Sequence, residues 1–251
     1  MKTGIRTGTC ITLLAAMLAA GSPADAIING RVVTEQDWFA HAVVGILVVD
    51  SKGKTWECTG TMLTHRMVLT AAHCVSDRKS ASVVFDFNVD GTRKVAATKF
   101  FIHPDYAKAK NGLSTADLAL IALPPHDYPT TPVSLDSDLN FTKGQQFTIA
   151  GYGNSDTRSR RSAGIMRKAA IAVAGPDLQN KVALAPIGDA WPCQGDSGAP
   201  ILRKDFHGHY ALAGVLGGGY EGPERECTPR SIMTPVHAYA EWITKTLASG
   251  G

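Results

Sequence analysis

Gly195-Asp196-Ser197-Gly198-Ala199-Pro200 places a two-residue polar tip between glycines and then enters the short apolar run Ala199–Leu202. Flanking glycines allow a sharp turn, and the apolar residues after it suit a buried strand. Outward from this point the same pattern recurs. Upstream lie Ala42–Val49, Thr59–Leu63, Met67–Ala71, Ser82–Phe87, Lys94–Ile102, Leu118–Leu123, Gln146–Ala150, Ile165–Val173 and Val182–Ala185, and downstream lies Tyr210–Leu216. Closely spaced runs of this length, rich in Val, Ile and Phe, predict an all-β barrel or sandwich. Asp90-Gly91 is a hairpin turn signal. Helical period is convincing only at the C-terminus, where Val236, Tyr239, Trp242, Ile243 and Leu247 share one face and Pro235 sits near the first turn. Pro124, Pro125, Pro129 and Pro132 form a proline-dense stretch near the middle, which reads as a linker between two similar halves.

The 251 residues are 44% hydrophobic and 19% charged, a globular balance long enough to bury a core. A net charge of +3 is too small to argue for nucleic acid or an anionic membrane as a partner. No apolar run reaches the ~18 residues that a membrane span needs. At the start, Lys2 and Arg6 precede the apolar stretch Ile11–Ala20, Gly21, Ser22 and Pro23 break it, and Ala24-Asp25-Ala26 offers a cleavage site. This is the layout of a signal peptide over residues 1–26 and predicts a secreted or periplasmic protein. A short membrane anchor or buried helix is the plainer reading, but the stretch is too short to span. Cys10 precedes the apolar run instead of ending it, which argues against a lipoprotein anchor. Cleavage after Ala26 removes Cys10 and leaves Cys58, Cys74, Cys193 and Cys227. An even set in an exported protein implies disulfides. Three pairings are open, and spacing favours Cys58–Cys74 and Cys193–Cys227. A zinc site is the alternative, but no Cys-x-x-Cys or His-x-x-x-His spacing is present.

Two further motifs belong with the first: Thr70-Ala71-Ala72-His73-Cys74 and Asp117-Leu118-Ala119-Leu120-Ile121. Each alone has an ordinary reading as a structural histidine, a capping aspartate or a turn. Their joint occurrence in this order is far more specific, with Cys74 beside the histidine and Cys193 four residues before the serine. On these motifs the sequence resembles the trypsin/chymotrypsin family of serine endopeptidases, from Ile27 to the C-terminal helix. The resemblance implies two six-stranded antiparallel β-barrels packed face to face, with a C-terminal α-helix. Residues 27–128 would form the N-terminal barrel carrying His73 and Asp117, and residues 129–251 the C-terminal barrel carrying Ser197 and the helix.

The chemistry asks for the same residues. A serine hydroxyl is a poor nucleophile at neutral pH and needs a base with a pKa near 7 within hydrogen-bond reach. The imidazole in turn needs a buried carboxylate to fix its tautomer and stabilise the imidazolium. Ser197, His73 and Asp117 supply these groups. The oxyanion of a tetrahedral intermediate needs two preorganised donors, for which the N–H groups of Gly195 and Ser197 are the candidates. No metal or other cofactor is required. The expected partner is a protein or peptide substrate, and the expected state a monomer. An esterase of another fold lacks support, because the nucleophile is not in a Gly-x-Ser-x-Gly elbow.

The resemblance also speaks to activation and specificity. Cleavage after Ala26 would leave Ile27-Ile28-Asn29-Gly30 as the new start, similar to the Ile-Val-Gly-Gly start of activated relatives. There the α-ammonium pairs with the aspartate before the nucleophile, here Asp196. Relatives made as zymogens have Arg or Lys before this Ile, whereas this chain has Ala26. Direct release by signal peptidase is the simpler expectation. Cleavage near Ala20, leaving Gly21–Ala26 to be removed later, is the rival. Trypsin-like enzymes carry an Asp six residues before the nucleophile at the base of the pocket. Here that position is Trp191, followed by Pro192. Turned inward, Trp191 would fill the pocket; turned outward, it would pack on the surface. Gly217, Gly218, Gly219 and Ser231 are the expected walls. Most relatives have Ser-Trp-Gly where this chain has three glycines, so Gly217 lacks a hydroxyl that would help hold Asp117 and Gly218 lacks an aromatic wall. Glu221, Glu224 and Glu226 could supply negative charge from the rim. A protease-shaped binding protein with an occluded pocket is therefore the alternative function.

The remaining features read as structural. Asp86, Asn88, Asp90 and Gly91 resemble the start of a calcium loop, but Ala97 stands where the closing Glu would be. Arg158-Ser159-Arg160-Arg161 reads as a solvated loop. His41, His103, His126, His207, His209 and His237 have no paired metal spacing. The exported product is expected to begin at Ile27 and to be active with no added protease. N-terminal sequencing checks this, and an inactive product starting at Gly21 or Ser22 would show a zymogen instead.

Overall fold

β-Branched and other apolar residues crowd the runs read as strands, and these runs pair into two antiparallel sheets. The computed structural model describes residues 27–108, 114–138, 140–155, 164–176, 181–221 and 227–250. The expected signal segment, residues 1–26, lies outside the described residues, as do Arg158-Ser159-Arg160-Arg161, Glu224, Glu226 and the side chain of Glu221.

The first part of the chain contributes β1 (Arg31–Val32), β2 (Val43–Asp50), β3 (Thr55–Thr64), β4 (Met67–Thr70), β5 (Arg78–Val84), β6 (Lys94–Ala96), β7 (Lys99–Ile102), the small pair β8 (Ala107–Lys108) and β9 (Ser114–Thr115), and β10 (Ala119–Ala122). One turn of helix, α1 (Ala72–Val75), follows β4. The order of the first sheet is β6-β5-β2-β3-β4-β10-β7. Its two edge strands are halves of the single run expected over Lys94–Ile102. The run switches partners at its middle: the Ala97 N–H donates to Ala81 O beside β5, and the Thr98 N–H donates to Ala122 O beside β10. The chain itself thus joins the two edges, and Ile46, Met62, Met67, Leu69, Val83 and Leu120 fill the interior.

The second part contributes β11 (Gln146–Gly151), β12 (Arg167–Pro176), β13 (Val182–Pro186), β14 (Pro200–Lys204), β15 (Tyr210–Glu221) and β16 (Cys227–Pro235). They run in the order β12-β11-β14-β15-β16-β13, and a further β12–β13 pairing closes the barrel. β16 was not expected from the sequence, because its opening Thr228-Pro229-Arg230 masks the apolar residues that follow. The second core holds Phe147, Ile149, Val173, Leu184, Ile201 and Met233.

Both ends of the described part of the chain cross over. β1 pairs with the start of β12, on the side that β13 leaves uncovered, and Ile27 is buried within the second core. At the other end, Val236, Tyr239, Trp242, Ile243 and Leu247 all pack on the first core as their helical spacing predicts, the last three from α2 (Ala240–Gly250).

The two halves are locked by buried polar contacts, not by apolar area alone. Thr59 on β3 donates its N–H to Ser197 O (2.8 Å) and its hydroxyl to Gly195 O (3.0 Å), and it accepts the Tyr152 N–H (3.1 Å). Tyr152 reaches back to donate its hydroxyl to Asp86 O (2.9 Å). Disulfides Cys58–Cys74 and Cys193–Cys227 form as the spacing favoured. Thr59→Val would strand the Tyr152 N–H in a buried site. It is expected to cost about 1–3 kcal/mol by urea unfolding with an unchanged slope, and Thr59→Ser much less. A Val variant as stable as the wild type would contradict this.

Candidate active site

Three turns bring the predicted residues into the cleft between the barrels. β4 is followed by small buried residues, Ala71 and Ala72, so α1 starts tight against the sheet, and Cys74 ties it to Cys58 on β3. His73 projects from that single turn. Asp117 enters from a sharp bend before β10, where Ala116 adopts φ +40° and accepts the Leu118 N–H. Ser197 sits at the turn before β14. Gly198 (φ +85°) makes that turn possible, since a Cβ there would meet Thr59 O and Thr70 Oγ1 at 2.2 Å.

Asp117 is buried and holds His73 at two points. Oδ1 accepts the His73 backbone N–H (2.9 Å) and Oδ2 lies 2.7 Å from Nδ1. Burial pushes the Asp117 carboxyl up, but the His73 charge, its ring and backbone donors and the Lys181 cation outweigh this and hold it below the ordinary carboxylate range. An ionised carboxylate only accepts, so Nδ1 carries the proton and Nε2 is left as the acceptor. Among the described residues no hydrogen bond joins Ser197 Oγ to Nε2; such contacts tighten when substrate enters. Cys74 Sγ lies 3.9 Å from Nε2. Cys58, His73 and Cys74 lie close together, but both thiols are spent in the disulfide and offer no thiolate to a metal.

The N–H groups of Asp196, Gly198 and Ala199 donate to Cys193 O, Leu216 O and Asp196 O. Those of Gly195 and Ser197 donate to no other group among the described residues. Two unengaged donors therefore flank the serine.

Asp196 points the other way, into the second barrel, and is fully buried. It accepts N–H groups from Cys193 (2.9 Å), Gly153 (2.8 Å) and Ile27. Burial raises its carboxyl to about 7 against the pull of these donors. Ile27, still joined to Ala26, offers only an amide N–H.

The expected pocket residues are partly assembled. Trp191 and Ile28 exchange backbone hydrogen bonds (3.0 and 3.2 Å), and the half-buried indole donates to Cys227 O (3.3 Å). The ring is thus turned toward the segment that the Cys193–Cys227 bridge secures. Pro192 and Ser231 are buried. Gly217 lies beside the acid, where a Cβ would sit an ordinary 3.5 Å from Asp117 Oδ2. Gly218 has φ +146°, which a large L residue rarely adopts, so the backbone itself is adapted to lacking an aromatic wall.

Residues 27–243 match the Trypsin family model. The chain belongs to the trypsin family. A trypsin-like protease of Streptomyces glaucescens is 32% identical over 213 residues, covering 76% of this chain and 75% of that protein. Chymotrypsin-like elastase family member 1 of Macaca fascicularis is 29% identical over 246 residues, covering 89% and 90%. The solved structure of HL collagenase, at 22% identity, shares the fold with a TM-score of 0.70 over 88% of this chain and 99% of its own. Membership in the trypsin family places the chain among peptide-bond hydrolases. No helix among its described residues is long and apolar enough to cross a membrane.

Other expectations on this trypsin-family chain resolve as packing. Asp86 takes the Arg93 backbone N–H (2.8 Å) and guanidinium (2.5 Å), so its carboxylate is occupied within the protein. His103 is buried between Tyr239 and Trp242. Thr59 and Lys181 were not anticipated. Thr59 lay within an expected strand. Lys181 heads an apolar run, where a charge ordinarily marks the surface; its Nζ instead meets Thr234 Oγ1 at 2.6 Å in the interior.

With Ala26 attached, the native chain binds more protons at Asp196 than the unfolded chain does between its ordinary 3.8 and about 7. Stability from this group therefore falls as pH rises through that window, by up to about 4 kcal/mol. Asp196→Asn is expected to remove this slope. Urea unfolding of both uncleaved chains across the window checks it, and identical pH dependence would contradict it.

Proposed function

We propose that this chain is an exported serine endopeptidase acting through Ser197, His73 and Asp117. The observation that carries the reading is the doubly held His73, its Nε2 left as an acceptor in the cleft with Ser197, next to two unengaged backbone donors. Ser197 Oγ attacks the scissile carbonyl carbon while Nε2 takes its proton. The oxyanion is received by the Gly195 and Ser197 N–H groups, each such donor typically contributing ~3–4 kcal/mol to lowering the barrier. The imidazolium, stabilised by Asp117, returns its proton to the leaving amine as the C–N bond breaks. Water, deprotonated by the same Nε2, then hydrolyses the acyl-enzyme and frees Ser197.

Activation follows from Asp196. Signal cleavage after Ala26 converts the Ile27 amide into an ammonium at a site where a buried carboxylate already accepts from it. Breaking such a pair typically costs ~3–5 kcal/mol, enough to hold or release the loop that presents Gly195 and Ser197. The indole of Trp191, turned toward Cys227, occupies the base of the specificity pocket and offers no charge to a guanidinium. The substrate class is peptides with small or medium apolar residues before the scissile bond. The binding-protein alternative shares the closed pocket but predicts no acylation.

A fluorophosphonate should label the mature protein at Ser197, and Ser197→Ala should lose both labelling and peptidase activity. Proteolysis surviving in the Ala variant, or a folded wild type that takes no label, would rule out the reading. For specificity, kcat/KM is compared on Ala, Leu, Phe and Arg substrates. Trp191→Gly should raise the Phe value relative to Ala. A wild type that prefers Arg over Ala and Leu by more than about tenfold, some 1.4 kcal/mol, would overturn the placement of Trp191.

A further inference from the structure

β12 changes partner part-way along its edge. Its start takes β1, with Arg31 opposite Lys168, and β13 joins only from Ile171, opposite Pro186. Ala169 and Ala170 fall in the gap, which the Ile187 N–H bridges to Ala170 O (3.3 Å). Side chains alternate across a strand, so Lys168 and Ala170 share one face of β12. Register puts Arg31 and Thr148 on that face too, beside Lys168 and Ala170. It is the outer face, since Phe147, Ile149 and Ile171 belong to the second core. A small residue on an outer face leaves room. Here the room is a pocket of about 460 Å³, within the ~300–1,000 Å³ of sites that take small organic molecules. None of its lining residues belongs to the triad or to the expected specificity pocket.

The lining is apolar in one part and charged in another. Phe39 and Tyr210 line it and meet edge to face, 5.6 Å between ring centres. Trp38, 43% exposed, stacks on Tyr210 and carries the apolar surface outward, and Ile187 adds a side chain that is 37% exposed. The cations come from β1 and β12. Lys168 is engaged by Asp37, whereas Arg31 has no ion pair and no side-chain hydrogen bond among the described residues. A guanidinium with its planar fork of donors unspent suits a carboxylate. Asp189 also lines the pocket, and its main-chain oxygen accepts from the Asn29 amide (2.8 Å), which ties that wall to the segment leading into β1. We propose that this pocket is a second binding site, apart from the catalytic cleft, for a small molecule with one carboxylate and an apolar body the size of a phenyl group or a short alkyl chain. The carboxylate lies on Arg31, and the body lies against Phe39, Tyr210 and Ile187.

The test titrates the protein beginning at Ile27 with N-acetylphenylalanine, its primary amide and octanoate. Calorimetry gives the affinity, and the methyl resonances of Ala170 and Ile187 give the place. Both acids should move these resonances saturably, at one site per chain. The amide should bind about tenfold more weakly or worse, because it cannot accept a charge-assisted pair from Arg31. Arg31→Gln should cost the acids a similar factor, and Asp189→Asn should cost them nothing. Ala170→Phe should fill the pocket and abolish binding. If that variant does not fold, Ile187→Glu puts a like charge against the ligand and should cost the acids about tenfold as well. Tighter binding of N-acetylphenylalanine would identify the C-terminal residue of a cleaved peptide as the source, and tighter binding of octanoate a fatty acid; either satisfies the site. No movement of the Ala170 and Ile187 resonances at roughly 10 mM acid would overturn the inference. So would equal binding of acid and amide, or acid binding that survives both Arg31→Gln and the pocket variant unchanged. None of these readouts depends on turnover. A protein inactive on peptides that still binds the acids here would sink the peptidase reading alone, and an active protein that does not bind them would sink this site alone.

Discussion

A carboxylate removed from water has to be met by donors, and the fully buried Asp196 imposes that demand on the whole second barrel. Its three backbone donors come from separate segments: Cys193 in its own loop, Gly153 after β11, and Ile27 in the segment that leads into β1. Satisfying the side chain inward fixes the loop's path. With the Asp196 N–H bound to Cys193 O and the Gly198 N–H to Leu216 O, the N–H groups of Gly195 and Ser197 are left without partners among the described residues. The donors that chemistry at Ser197 would need are thus a by-product of solving a burial problem next door.

The first barrel solves the same problem with the opposite outcome. Asp117 is also buried, but it is held by His73 at two points, so burial loses to attraction and the acid stays ionised. Among the described residues Asp196 meets only neutral amides in the uncleaved chain, and burial wins. Two aspartates of similar depth are therefore held in different states by the charge of their neighbours. Thr59 couples the two barrels by gripping both carbonyls of the serine loop from β3, one residue from the Cys58–Cys74 bridge that anchors His73. Each bridge closes a loop and typically adds ~2–4 kcal/mol, which stiffens the cleft where its geometry matters most.

Much of this was legible in the sequence, for physical reasons. Strands with apolar residues on both faces announce themselves, as in β2 and β10, and α2 does so by its period. β16 did not, because a proline and an arginine open it while its buried half lies further on. Spacing favoured the two disulfides among three possible pairings, and the structure forms them. His73, Asp117 and Ser197 stood out as residue types in motifs, and the fold draws them into one cleft. What one-dimensional reading could not supply was direction. Nothing in the sequence says that Trp191 turns toward Cys227, that Lys181 points inward, or that the hydroxyl of Thr59 is the hinge between halves. Each depends on which strand lies next to which.

The central claim is that Ser197 becomes covalently acylated during turnover. Rapid mixing of the protein starting at Ile27 with a slowly deacylating nitrophenyl ester tests it most directly. A burst of one nitrophenol per chain is expected, with the acyl group mapped by mass spectrometry to Ser197. Steady release with no burst and no adduct, or an adduct on another residue, would contradict it.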